Sequence, residues 1–453
     1  MSAGHGALRH RDFRLLWAGE SVSQFGSAAT RVLMPLIAVE TLDAGPLAMG
    51  VLGAAAWVPW LLFGLPVGAW TDRMRRRPVM IVCNTVSALL MLSLTAAAWL
   101  EALTITQLMA VAVLAGTADV FFRAAYGAYL PTVLPHEALP DGNARLQTSE
   151  SVAEVVAPGA GGMLAQAGSA AVGFLADALS FLLSAVLLLR IRTPEERPGP
   201  PADPGARRSL VREIRAGAAF LTGDPFLRTI LLCDAAMNLF LAGAQSLSIL
   251  FLSRTVGASG TVIGLLIALA GLGGVLGAMV SPRLARRVGT ARAVLLCAFC
   301  SGPFGLLIPL TTDGAGLLAF LIGEFCLMTG VVAGNVIIVS FRQAYCPPDM
   351  LGRVGAGIRF VMYGTIPVGS VLGGALGALL GTRDALWVLY AGNALCALLL
   401  LSGPLRGSRD LPAGDAGAAG SAAPVPVPVP VPVAAAGADA GAAAAGEGAG
   451  AAR

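Results

Sequence analysis

The chain has 453 residues, of which 56% are apolar and only 12% charged, with a formal net charge of +4 and a mean hydropathy of +0.77. A water-soluble domain covers its surface with roughly a quarter charged residues. The composition therefore excludes a soluble enzyme or nucleic-acid-binding domain and describes a polytopic membrane protein. All 30 basic residues are arginine, which reads as codon bias rather than chemistry.

Residues 1–14 form a basic N-terminus (Arg9, Arg11, Arg14) without the cleavage pattern of a signal peptide, so the first span is uncleaved. Charges and turn residues then divide the chain into spans near 15–39, 47–70, 79–99, 103–125, 146–167 and 171–190. Six more follow near 227–252, 260–282, 291–311, 315–340, 355–381 and 384–404. Each approaches the ~20 residues that cross ~30 Å of hydrocarbon. The expected fold is an all-α membrane protein of twelve transmembrane helices in two pseudo-symmetric six-helix bundles, 15–192 and 226–404. Between them, 193–225 begins with five prolines and continues through the basic stretch Arg207 to Arg215. It reads as a linker ending in an amphipathic helix on the membrane surface. Residues 405–453 are Ala/Gly-rich with Pro-Val pairs from Pro424 to Val433, and are expected to be a disordered, partly polyproline-like extension to which no function is assigned.

Arginine placement sets the orientation. With loops assigned alternately, Arg254 and Arg383 alone fall on one side and Arg31 lies inside a span; the rest flank the other side. That side is cytoplasmic, which puts both termini in the cytoplasm of a multi-pass protein of the plasma membrane. The halves also repeat. Gly68-Ala69 recurs as Gly277-Ala278, and Pro158 recurs as Pro367, both displaced by 209 residues. The second copy has Ser281 where the first has Asp72.

Polar residues inside the spans carry the functional argument. Glu20, Gln24, Ser27 and Arg31 stand at i, i+4, i+7 and i+11 and share one helical face. Asp234, Asn238 and Gln245 repeat that spacing in the seventh span, and Glu324 and Asn335 are eleven apart in the tenth. Ionisable groups cost several kcal/mol in hydrocarbon and must face protein or a wet cavity. Mutual ion pairing that only fixes packing is the competing reading, and matching stripes on the opening helix of each half favour a shared central cavity. Arg31 would find its partner in Glu324 or Asp234.

Other signals are weak. Cys297-x-x-Cys300 lies in an apolar span with no second pair, and His5, His10 and His136 lie outside the spans, so no metal site is expected. Gly271-Leu272-Gly273-Gly274 lacks the soluble helix of a nucleotide loop and fits close helix packing. Neither a cofactor nor ATP-driven pumping is expected.

The most informative segment is Gly68-Ala69-Trp70-Thr71-Asp72-Arg73-Met74-Arg75-Arg76-Arg77. Its spacing resembles the loop between the second and third helices of major facilitator superfamily transporters. The resemblance extends over about 1–404. It includes Phe13 to Gly19, Ser23 to Gly26, Tyr129-Leu130-Pro131, Asn143-Ala144 and Ala157-Pro158-Gly159-Ala160-Gly161-Gly162. The last stretch is similar to the antiporter motif of the fifth span (Pro158, Gly161, Gly162), with Ala157 in place of its first glycine. Together these residues resemble the drug and siderophore exporter branch, which includes macrolide-efflux and enterobactin-export proteins. The resemblance implies a gate in which Gly68, Asp72, Arg73 and Arg76 act with Asp119 and Arg123, Asp72 near the eleventh span and Arg76 reaching Asp119. It departs in two places: Arg75 replaces a glycine, and the fourth span offers only Asp119 and Arg123, toward its cytoplasmic end.

The function expected is secondary export of small amphiphilic molecules by proton antiport, not catalysis, with protons, substrate and the bilayer as partners and a monomer as the working unit. Desolvation lets a carboxylate exchange protons near neutral pH, which makes Glu20, Asp234 and Glu324 the coupling candidates. Gln24, Ser27, Arg31, Asn238, Gln245 and Asn335 would line the cavity. The alternative is a proton-coupled importer of a sugar or metabolite; a non-transporting sensor is disfavoured because no soluble signalling domain is present.

Overall fold

A computed structural model describes residues 6–64, 66–71, 74–167, 170–195, 217 and 219–412. The first half comprises α1 (Arg11–Glu40), α2 (Pro46–Phe63, resumed by a short turn Pro66–Thr71), α3 (Arg76–Trp99), α4 (Ile105–Val133), α5 (Leu139–Gln166) and α6 (Ala170–Leu189). The second comprises α7 (Pro225–Leu250), α8 (Gly260–Val288), α9 (Thr290–Ser301), α10 (Leu317–Tyr345), α11 (Pro348–Leu380) and α12 (Thr382–Cys396). All of these except α5 are long and apolar enough to cross a membrane, α9 and α12 by continuing as 3₁₀ turns to Leu310 and Ser402. α5 has the length but carries Asp141, Arg145, Glu150 and Glu154.

Local chemistry sets the helix ends. The Thr104 hydroxyl accepts from Gln107 N–H to open α4, and the Asp224 carboxylate accepts from Phe226 and Leu227 to open α7, each satisfying orphan donors of a first turn. Prolines occupy the first turns of α2, α7 and α11, where no amide hydrogen is needed. Gly289 at φ +95° lets α8 turn directly into α9.

Packing obeys a pseudo-twofold rule. Within the first half α1 packs on α5 and α6, α3 on α4 and α6, and α2 on α4; α7 to α12 repeat that set with every helix advanced by six. The halves meet along two seams, α2 with α11 and α5 with α8, which exchange under the same rule. Both seams are lined by small residues. Gly50 faces Gly374, and a Cβ on Gly374 would stand 2.9 Å from Gly50 Cα. Gly162 faces Gly260 and Gly264, and a Cβ on Gly264 would stand 3.0 Å from Gly162 Cα. Such backbone approach is how helices associate in lipid, where apolar burial gives no drive.

Polar bridges between the halves gather at the end remote from the chain termini. Arg254 donates to Asp43 (2.5 Å) and to the Val39 carbonyl (3.0 Å), and Thr261 N–H donates to Gln166 (3.2 Å). Lower in the α2–α11 seam the Trp57 and Trp60 rings lie 5.9 and 5.1 Å from Tyr363.

The expectation of a structureless tail from residue 405 changes at its start. Pro404–Gly407 forms a 3₁₀ turn with Leu405 fully buried. Asp410 accepts from Thr290 N–H (2.9 Å) and Leu411 N–H donates to the Thr290 hydroxyl (2.7 Å). The sequence concealed this because the hydrogen bonds run through backbone groups, which composition does not report. The basic stretch from Arg207 to Arg215 and the Pro-Val repeat lie outside the described residues.

The fifth-span motif yields a prediction. A Cβ on Gly161 would collide with the Ala29 carbonyl inside the first half, whereas one on Gly162 would collide with Gly260 across the seam. Gly161→Val should lower the Tm of the purified protein by several degrees, overpacking costing about 1–3 kcal/mol. Gly162→Val should leave Tm nearly unchanged and instead raise the labelling of cysteines placed beside Asp43. Equal thermal losses would show that both glycines serve packing within the half.

Candidate functional site

Charged and polar side chains of α1, α4 and α5 form a cluster in the first half, buried at Glu20 and Glu150 and open to solvent at Asp119, whose side chain is 43% exposed. Glu20 is 9% exposed and accepts from Gln24 at 2.8 Å, as their i, i+4 spacing requires. Arg123 on α4 donates to both carboxylate oxygens of Asp119 (3.0 and 3.2 Å) and stands 3.5 Å from Glu150 of α5. The charges of Glu20 and Glu150 act on it as well. One guanidinium thus balances three carboxylates, with the Tyr126 hydroxyl buried beside them and without a hydrogen-bond partner among the described residues. Such a group cannot be dry and fully charged at once without a large desolvation cost.

Arg31 occupies the same face of α1 eleven residues on and is paired with Glu154 of α5. The expectation that it would meet Glu324 or Asp234 is corrected, because no charge from Arg31 reaches either acid. Glu150 and Glu154 were overlooked in the sequence, although their i, i+4 spacing sets two carboxylates on one face of α5. Asp177 of α6 was overlooked too. It is 2% exposed, accepts from Thr30 (2.6 Å) and Ser180 (3.2 Å), and fixes α6 against α1 at Gly26. Ser27 is half-buried on the same helix as Thr30.

The second half is sparser. Asp234 is half-buried and is acted on by Arg342 of α10, a residue two positions beyond the span expected to end at 340. Asn238 is buried and its amide donates to the Met362 carbonyl (2.9 Å) and the Thr365 hydroxyl (2.8 Å). These bonds tie α7 to α11. Gln245 and Asn335 are half-buried. Glu324 and the Tyr390 hydroxyl are buried beside one another, with Ser248 also within reach of Tyr390. No group of three or more potential metal ligands occurs among the described residues, and all seven cysteines are free.

The loop after α2 is only partly described. Asp72 and Arg73 lie outside the described residues, and nothing stands within 4 Å of a Cβ built on Gly68. Arg76 does not reach Asp119: its guanidinium donates to the Ala128 carbonyl at 2.8 Å, because Asp119 is already occupied by Arg123 one turn along α4. Arg77 donates to Leu188 and Leu189 at the C-terminus of α6 (2.9 and 2.8 Å), where the helix dipole favours a cation. Glu195 accepts the amides of Arg76 and Arg77 at the start of α3. In the second copy Ser281 is fully buried and donates to Ala278 of its own helix (3.1 Å).

Two six-helix bundles joined at two glycine seams, with buried charge inside each bundle, define a secondary transporter scaffold. Residues 16–366 match the Major Facilitator Superfamily, and the chain belongs to that family; it is a transporter, not an enzyme. It is 22% identical over 395 residues to macrolide efflux protein A of Streptococcus pyogenes, covering 86% of this chain and 94% of that one. It is 25% identical over 423 residues to the enterobactin exporter EntS of Citrobacter koseri, covering 89% and 94%. Among solved structures, the nucleoside transporter NupG superposes with a TM-score of 0.66 at 11% identity, covering 86% of this chain and 98% of that one.

The Arg31–Glu154 pair can be tested. In a double-mutant cycle on thermal stability, Arg31→Ala and Glu154→Ala should couple by about 0.5–3 kcal/mol. Arg31→Ala with Glu324→Gln should be additive within about 0.5 kcal/mol. Coupling to Glu324 instead would restore a charge bridge between the halves.

Proposed function

We propose that the protein exports small amphiphilic molecules, of drug, antibiotic or siderophore type, by proton antiport and alternating access. It works as a monomer in the plasma membrane with both termini in the cytoplasm. The observation that carries this reading is the charged group of Glu20, Gln24, Asp119, Arg123 and Glu150, in which Glu20 and Glu150 are buried and Asp119 reaches solvent. A proton on Glu20 or Glu150 changes how much negative charge Arg123 must balance, so proton binding and the geometry of α1, α4 and α5 are linked. A cationic substrate competing for the same carboxylates would exchange with that proton. Asp234 and Glu324 are the corresponding acids of the second half. The efflux names of the relatives support the direction of transport, and the arginine bias supports the orientation. With the termini inside the cell, the Arg254–Asp43 bridge lies on the outer face and the described conformation is held shut there.

Gating rests on Asp72, whose carboxylate would favour the dipole at the start of α11, with Gly68 leaving room for the two loops to approach. Arg73 and Arg76 would hold the adjoining turn in place. An importer of a sugar or metabolite is the second reading, since one fold serves both directions.

Purified protein in proteoliposomes distinguishes these. A macrolide or cationic dye should drive counterflow of protons, and Glu20→Gln should abolish that flux while the variant still folds and binds. Asp234→Asn and Glu324→Gln should lose coupling in the same assay. Transport indifferent to a pH gradient, or intact coupling in all three variants, would overturn antiport; substrate and protons moving in the same direction would establish the importer.

A further inference from the structure

Where α8 turns into α9, the chain builds a basic pocket. Arg287 ends α8, Arg292 stands in the first turn of α9, and Arg409 lies on the segment that follows α12. With Val288 and Leu296 they line a cavity of about 430 Å³. The pocket is held together by backbone. Gly289, at φ +95°, leaves no room for a side chain beneath Arg409. Arg292 N–H approaches the Arg409 carbonyl (3.4 Å), and Asp410 and Leu411 both bond Thr290.

The pseudo-equivalent turn of the first half shows what is unusual here. There Arg76 and Arg77 are occupied by the carbonyls of Ala128, Leu188 and Leu189. Here neither Arg287 nor Arg292 has a side-chain hydrogen bond or ion pair among the described residues, and Arg409 has only Asp410, 4.0 Å away. Asp410 already serves the Thr290 amide. The three arginines, all solvent-exposed, thus share one pocket in which Asp410 is the only acid paired with any of them among the described residues, an arrangement to which an anion with several acceptor oxygens can add charge-assisted hydrogen bonds.

The flank of the pocket selects the kind of anion. Leu296 is 44% exposed and Val280 and Met279 of α8 are 38% and 61% exposed, so the pocket opens onto apolar surface that faces lipid. We propose that Arg287, Arg292 and Arg409 bind the phosphate of an anionic phospholipid, its acyl chains lying along α8 and α9. Basic pockets beside membrane helices recognise such headgroups, and their affinity falls as salt screens them.

The test uses the full-length protein in a neutral detergent. Phosphatidylglycerol, added in mixed micelles, should raise the Tm by several degrees and phosphatidylcholine should not. Arg287→Gln with Arg292→Gln should raise the half-saturating lipid concentration by about tenfold, and the corresponding lysine pair should recover part of the loss. Arg14→Gln with Arg190→Gln, which removes two exposed arginines from the same end of the other half, should leave the response unchanged. Equal loss in both glutamine pairs would reduce the effect to general surface charge. A shift produced equally by millimolar inorganic phosphate would assign the pocket to a soluble anion, and no shift with phosphatidylglycerol would remove the site; each outcome overturns the proposal.

Discussion

In hydrocarbon, apolar surface gains nothing by touching other apolar surface, so the halves of this protein depend on how closely their backbones approach. The α2–α11 and α5–α8 seams meet that constraint with Gly50, Gly374, Gly162 and Gly264, placed where a Cβ would stand at or inside 3.0 Å of the opposing chain. The rest of the architecture follows from it. The glycines bring the backbones into contact, and Trp57 and Trp60 packed on Tyr363 add aromatic contact along the α2–α11 seam. The largest core is continuous across the two halves, running from Leu33 and Phe174 in the first to Leu389 and Tyr390 in the second.

The same solvent governs the charges. Hydrocarbon tolerates an ionised group only if another protein group compensates it, and the first half concentrates its compensation in one arginine. Arg123 serves Asp119, Glu150 and Glu20 at once, which makes the protonation of any one acid a property of the group. Asp177, by contrast, receives two hydroxyls and is fixed in the α1–α6 contact. Burial alone therefore does not describe an acid's setting: Asp177 is held by neutral hydroxyls, whereas Glu20 and Glu150 lie in the field of a shared guanidinium.

Much of this was legible in the sequence. The twelve helices follow apolar length and arginine placement, and the repeat follows Pro158, Pro367 and the two Gly-Ala pairs, because these properties are local. The stripe from Glu20 to Arg31 also predicts a shared face. What could not be read was which helix that face meets. Arg31 finds Glu154 rather than an acid of the other half, and Arg76 finds a carbonyl rather than Asp119, because partner choice depends on the rotation of α5 and α4 about their axes. Arg342 was lost for a simpler reason: α10 runs on to Tyr345, and an arginine near the end of a helix looks like loop charge.

Glu195 and Asp410 occupy matching places, each following the last helix of its half and each accepting amide hydrogens at the start of the third helix. An acid so placed ties the exit of a bundle to its interior. Each half is thereby fastened, last helix to third, at the end where its chain leaves the bundle.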